Sequence, residues 1–175
     1  VGGFSPPATT RFDGTQWRSF PVNGLPESFL SAVWSFSQTQ AIAVGSSGSF
    51  ATFAFGVWTS GFLPSSLAPS MHGIWADSPT FVVAVGEGGS IFRWNGTQWS
   101  EMTSPVTSTL RSVWGTSTSN IYAVGDGGVI IRYNGTTWTR VTSPTTQQLL
   151  GVWLSDPTSG VAVGRGGVIL RLSAP

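Results

Sequence analysis

The chain has 175 residues, 40% hydrophobic and only 9% charged, with a net charge of +1, eight arginines, no lysine and no cysteine. That length buries a core without metal or disulfide support, and the sparse charge forms no basic patch for nucleic acid or an anionic membrane. The missing cysteines exclude thiol nucleophiles, Cys-containing zinc sites and disulfides. A single histidine, His72, excludes a multi-histidine metal cage, and the longest apolar runs, such as Phe81 to Val85, fall far short of the roughly 20 residues of a membrane-spanning helix.

Val1 stands where an initiating Met is expected, as in a chain that has lost a leader or in a fragment, and no charged-then-apolar signal segment is visible. Abundant Ser, Thr and Gly without Lys or Cys are common in exported bacterial and surface proteins, which points to a secreted or surface-displayed protein. Residues 1–25 begin with Val1-Gly2-Gly3, readable as the end of a second strand, and continue with two strands around Arg11 to Phe20 joined at Asp13-Gly14.

From there the chain repeats. Val-Trp or Ile-Trp pairs end at Trp34, Trp75, Trp114 and Trp153, in steps of 41, 39 and 39 residues. Val-Gly pairs end at Gly45, Gly86, Gly125 and Gly164, in the same steps. Trp17, Trp58, Trp99 and Trp138 form a third column, with steps of 41, 41 and 39, so that only Trp94 of the nine tryptophans lies outside a column. A period near 40 belongs to solenoids and propellers. Units fall at 29–63, 70–104 and 109–143, with a partial unit at 148–172.

Within 109–143 the pattern predicts four short strands, A at 110–114, B at 121–124, C at 129–133 and D at 137–141. Each is rich in β-branched or aromatic residues and bounded by Gly, Asn, Ser or Pro. Asn95-Gly96 and Asn134-Gly135 predict two-residue type I′ hairpins between C and D. Gly86-Glu87-Gly88-Gly89, Gly125-Asp126-Gly127-Gly128 and Gly164-Arg165-Gly166-Gly167 predict sharp reversals between B and C. The fold class expected is all-β, a small propeller of four-stranded antiparallel blades in one domain, with about five blades counting the partial ends. Four blades closed by joining the termini is the alternative. The column tryptophans are expected to fill the wedges between blades.

The run IYAVGDGGVIIRYNGTTWTRV resembles a kelch-type blade, with its double glycine, later Tyr and later Trp in the same order. N-G-T-x-W resembles the tail of the Asp-box hairpin of sialidase-like propellers, and the V-W-G, Y-A-V-G-D-G-G and Y-N-G-T-x-W repeats resemble those of exported bacterial propeller proteins. Residues 46–60 lack the Gly-Gly and Asn-Gly-Thr elements.

Chemistry is harder to place. Glu87 and Asp126 occupy equivalent B–C turns and form the one pair of acids suited to glycoside hydrolysis, but their equivalents are Ser46 or Ser47 and Arg165, so the column mixes charges as a solvated loop does. Arg11, Arg93, Arg132 and Arg171 recur once per C strand, which suits stacking on neighbouring aromatics. One histidine without a nucleophile elbow offers no Ser-His-Asp site, and no catalytic activity is expected. The G-x-G-G turns precede no helix and have no lysine, so they are not phosphate loops. Asn95-Gly96-Thr97 and Asn134-Gly135-Thr136 match the glycosylation acceptor pattern, which the hairpin turns already explain.

In a propeller the B–C and D–A connections share one face. There the variable positions His72, Glu87, Arg111, Asp126 and Arg165 are expected to form a recognition surface, and Phe12, Trp94 and Tyr133, at equivalent C-strand ends, suit sugar stacking if exposed. The expected function is a binding module for a glycan or a protein, acting through repeated loop sites without a cofactor or metal. A structural role in a larger assembly, including an oligomer that completes the ring, is the alternative, and a glycoside hydrolase using the axial acids is the third reading.

Overall fold

The computed structural model describes residues 8–12, 14–21 and 29–173, and all of its sheets are antiparallel. Strands β1 (Ala8–Phe12) and β2 (Trp17–Pro21) form a two-stranded sheet, here blade 1. Blade 2 comprises β3 (Leu30–Ser37), β4 (Gln40–Gly45), β5 (Ser49–Ala54) and β6 (Val57–Phe62). Blade 3 comprises β7 (Met71–Ser78), β8 (Phe81–Gly86), β9 (Ile91–Trp94) and β10 (Trp99–Glu101). Blade 4 comprises β11 (Leu110–Ser117), β12 (Asn120–Gly125), β13 (Ile130–Tyr133) and β14 (Trp138–Val141). Blade 5 holds three strands, β15 (Leu149–Asp156), β16 (Ser159–Gly164) and β17 (Ile169–Ser173).

Each blade is a meander whose hydrogen-bonded order follows the sequence. The expected propeller architecture is therefore present, with partial sheets at both ends. Closure through joined termini is not adopted, because β1 and β2 pair only with each other and β15–β17 remain a separate sheet. The first strands β3, β7, β11 and β15 lie side by side in that order.

The sheets hold together by wedges of apolar side chains. Between blades 2 and 3 lie Ile42 and Val44 against Met71, Ile74, Ala84 and Phe92, with Trp99. Between blades 3 and 4, Trp75, Val83, Val85 and Ile91 meet Val113, Ala123, Ile131 and Trp138. Between blades 4 and 5, Tyr122, Val124 and Ile130 meet Val152, Leu154 and Ala162. Every wedge joins the same two faces, a leading face that contains the Val of the Val-Gly pair and a trailing face that contains the residue before the first-strand Trp.

Those first-strand tryptophans also meet one another. Trp34 packs edge-on against Trp75 at 6.5 Å between ring centroids and against Trp114 at 5.7 Å. Rings from three successive blades thus fill the space beside the inner strands, and Trp114 Nε1 donates to the Leu154 carbonyl at 3.2 Å to bind blade 5.

The Val-Gly column has a steric cause. A Cβ built on Gly86, Gly125 or Gly164 would lie 2.0–2.3 Å from the carbonyl oxygen of Ser70, Thr109 or Gln148, the residue that precedes each first strand. The end of strand B and the entrance to strand A therefore touch backbone to backbone.

The C–D turns depart from the expected type I′ hairpin. Trp94 pairs with Trp99 and Tyr133 with Trp138, which leaves four-residue loops. Asn95 Oδ1 accepts from the Thr97 and Gln98 N–H groups, each at 2.9 Å, and Asn134 does the same for Thr136 and Thr137. Only Gly96 and Gly135 take positive φ, at 100° and 99°. The Asn side chain has replaced the left-handed backbone it was expected to adopt, as Asx turns allow. A two-residue loop with both φ values positive does occur, at Phe55-Gly56, where the Asn-Gly signal is missing.

Two substitutions test this account by thermal or urea unfolding. Gly125→Ala is expected to cost about 2 kcal/mol or more, since the methyl group overlaps a backbone oxygen that cannot move away cheaply. Trp75→Ala, which removes a ring buried between blades 3 and 4, is expected to cost about 3–5 kcal/mol.

Candidate functional site

Two backbone devices build one face of the blades. At each B–C connection a single 3₁₀ turn follows the Val-Gly pair, at Ser46–Gly48, Glu87–Gly89, Asp126–Gly128 and Arg165–Gly167. Its first residue donates its N–H to the carbonyl before strand A: Ser46 to Phe29, Glu87 to Ser70, Asp126 to Thr109 and Arg165 to Gln148, at 2.8–2.9 Å. The second and third residues have positive φ, which three of the four blades meet with a Gly-Gly pair and blade 2 with Ser47-Gly48. The turn is thus fixed by backbone alone, and its first side chain is left to vary.

The second device is a β-bulge. In the A–B pairing Leu110 faces Gly125 and Ser112 faces Val124, which leaves Arg111 as the extra residue. His72 and Leu150 are the extra residues in blades 3 and 5, and Ser31 in blade 2. Bulges re-aim side chains, and here they turn the variable column toward the variable turn residues.

Four of the five variable residues named from the sequence consequently come together across blades 3 and 4. Arg111 grips Asp126 with two hydrogen bonds, Nε to Oδ1 and Nη2 to Oδ2, both at 2.8 Å. Gln148, at the entrance to blade 5, donates its Nε2 to the same Oδ1. These bonds, that of Arg111 foremost, hold the Asp126 carboxyl down to about 2 against partial burial, and the bond to Asp126 raises Arg111 above its ordinary value. Glu87 Oε2 accepts the Ser70 N–H at 3.1 Å. That bond is the largest cause of its lowered pKa, and His72 and Arg111 contribute through their charge. His72, half-buried, lies within electrostatic reach of both Glu87 and Asp126. Arg165 occupies the equivalent turn of blade 5 and is exposed.

The surface is therefore a strip of alternating charge whose Arg111–Asp126 pair is internally satisfied, while the carboxylate of Glu87 and the guanidinium of Arg165 face outward. No group of three or more His, Cys, Asp or Glu residues gathers among the described residues, and Asp126 spends its oxygens on Arg111 and Gln148.

The aromatic residues named from the sequence lie elsewhere. Tyr133 is 7% exposed, its ring 5.2 Å from that of Trp138 and its hydroxyl donating to the Gly135 carbonyl at 2.8 Å. Trp94 is half-buried between Phe50 and Trp99, at 5.9 and 5.6 Å. Both rings brace the C–D hairpins, at the opposite end of the strands from the charged strip, and Tyr133 has no open face for a sugar. The side chain of Phe12 lies outside the described residues. Arg93 stacks over Phe81 at 4.6 Å, and Arg132 stacks over Tyr122 at 5.6 Å while donating to Asn120. The arginine column in these blades is thus structural. Sequence reasoning missed Gln148, whose signal was its place immediately before strand A.

No protein-family model matches the chain, and no curated protein matches it. Solved structures do. YCF48 bound to D1 peptide aligns with a TM-score of 0.72 at 17% identity, over 96% of this chain and 58% of that one. The virginiamycin B lyase from Staphylococcus aureus aligns at 0.73 and 14% identity, over 96% of this chain and 62% of that one. The C-terminal WD40 domain of Sif2 aligns at 0.63 and 16%, over 83% of this chain and 46% of that one. The chain therefore spans about three fifths of the length of the first two.

The fold is that of a β-propeller. These likenesses carry the propeller repeat alone and give no support to kelch or Asp-box features in particular. They also correct the expectation that the chain has no catalytic activity. The virginiamycin B lyase, an enzyme, shares the propeller fold at 14% identity, so the fold does not by itself exclude catalysis.

The ion pair gives a pH test. A carboxyl whose folded value is lowered to about 2 from 3.8 favours the folded state above the unfolded value and loses that contribution as pH falls from about 4 to about 2. Asp126→Asn is expected to flatten the stability-against-pH curve in that window. At neutral pH it should cost less than about 1 kcal/mol, because both side chains are about one third exposed. Tyr133→Phe is expected to cost about 1 kcal/mol in urea unfolding through loss of the bond to Gly135.

Proposed function

We propose that the chain is a protein-recognition module that holds an extended peptide segment across the face formed by the B–C turns and the D–A loops. The observation that carries this reading is the repeated pairing of a bulge with a backbone-fixed turn, which sets His72, Glu87, Arg111 and Asp126 on one strip. Two kinds of position vary freely there while the scaffold beneath them stays constant, the arrangement expected of a recognition surface on a rigid support. Glu87 and Arg165 supply the outward charges, with His72 between the acids, and Arg111 and Asp126 hold the strip in shape. The likeness to YCF48, whose structure contains a D1 peptide, supports a peptide as the kind of ligand. A peptide also suits the strip better than a glycan does, because the strip is charged and Tyr133 is enclosed. The composition supports a partner met outside the cytoplasm.

Selection of a phage-displayed random peptide library on the immobilised protein tests the reading. Enriched peptides are expected to bind the double variant Glu87→Ala/Arg165→Ala at least about tenfold more weakly, a loss of roughly 1.4 kcal/mol. Their binding to the unmodified protein should weaken as salt rises. Failure to enrich any peptide, or enriched peptides that bind the double variant unchanged, would overturn it.

A further inference from the structure

We infer that a recess at the rim of the loop face is a carboxylate site, filled by the chain terminus or an acidic side chain of a bound peptide. The recess, about 340 Å³ in volume, lies between the D–A loop of blade 3, residues 104–108, and Arg140 on β14 of blade 4. A Cβ built on Gly89 would overlap the carbonyl of Val106, so this loop lies against the turn that begins at Glu87. The recess therefore adjoins the charged strip. That a peptide supplies the carboxylate rests on the function proposed above, whereas the site itself rests on its own donors.

Ser104 Oγ donates to the Val106 carbonyl at 3.0 Å and accepts the Val106 N–H at 3.4 Å, which closes the loop on itself. Ser143 and Thr145 close the D–A loop of blade 4 in the same way. The two loops then differ at one atom. In blade 4 Thr145 Oγ1 accepts the Gln147 N–H at 3.1 Å, whereas in blade 3 Val106 holds the equivalent place and has no oxygen to offer Ser108. The N–H groups and hydroxyls of Thr107 and Ser108, and the guanidinium of Arg140, have no hydrogen-bond partner among the described residues. In blade 3 the repeat equivalent of Arg140 is Glu101, so this cation is particular to the junction of blades 3 and 4. One cation with hydroxyl and main-chain donors, and no acid in the lining, matches an anion of single charge with several acceptor lone pairs. A carboxylate meets that description, and main-chain N–H groups are a recurring seat for the carboxylate of a peptide. A phosphate dianion would keep a charge that nothing here balances.

Amide NMR of the isotope-labelled protein tests the site without any selected peptide. The probes are N-acetylglycine, which carries a terminal carboxylate, N-acetylaspartic acid α-amide, which carries a side-chain carboxylate, the neutral N-acetylglycinamide, and inorganic phosphate. The Thr107 and Ser108 signals are expected to shift to saturation with a carboxylate probe and not with the neutral amide, and the tighter of the two carboxylates identifies the source. Arg140→Gln, at an exposed position, is expected to weaken that binding at least about tenfold. Val106→Thr, which gives Ser108 the acceptor that Gln147 has, is expected to weaken it as well, and matching thermal melts confirm that both variants fold. Saturation by neither carboxylate, equal shifts with the neutral amide, tighter binding of phosphate, or unchanged binding in either variant would refute the inference. If N-acetylglycine saturates these signals while the peptide library enriches nothing, the peptide reading fails and the carboxylate site stands.

Discussion

The structure depends on a contact between two backbones. Where strand B ends, the chain passes so close to the entrance of strand A that a single methyl group would overlap a carbonyl oxygen, and only glycine fits. That approach lets the next N–H reach the same carbonyl, which anchors the 3₁₀ turn without any side chain. The turn sends the chain back as strand C, and the bulge in strand A lies beside it. The glycine column thus sets the blade and the loop face in one step.

What a blade lacks alone it obtains from its neighbours. A thin antiparallel sheet has two apolar faces and a core on neither side, so its stability is a sum of wedges with adjacent copies. Here the wedges are aliphatic and aromatic throughout, and the few charges do structural work at their margins. Arg93 and Arg132 lie on rings of the second strand, and Asn120 reaches across to the Pro157 carbonyl of the next blade at 3.3 Å.

Most of this architecture was legible because the repeat is strict where backbone geometry is strict. The Val-Gly and Gly-Gly columns announced the B–C turns, and the tryptophan columns announced the wedges. The C–D hairpins were misjudged because Asn-Gly satisfies two different turns, one through positive φ at Asn and one through its side-chain oxygen, and the dipeptide does not distinguish them. Phe55-Gly56 shows the converse: the register of β5 and β6 forces a tight loop on a residue with no preference for it. On the loop face, variability amid constant neighbours singled out His72, Glu87, Arg111 and Asp126. Their place on one face was expected, but the reach of Arg111 onto Asp126 was not visible, because it rests on a one-residue bulge that leaves no mark in the hydrophobic pattern. Tyr133 and Trp94 were named for their chemical type, and their burial depends on which end of the blade the C–D hairpin occupies.

The same bulge explains why the loop face tolerates such different residues. A side chain in a regular first strand must suit the wedge on its own side, and substitution there is felt by the packing. An extra residue belongs to neither alternating face, so Ser31, His72, Arg111 and Leu150 occupy one geometry without disturbing Leu30, Met71, Leu110 and Leu149 beside them. The first turn residue is free for a parallel reason, since its obligations are met by its N–H. Ser46, Glu87, Asp126 and Arg165 therefore differ in charge on an identical backbone. A repeat protein that must keep its blades alike in order to pack has, at these two positions per blade, the freedom to make them unlike.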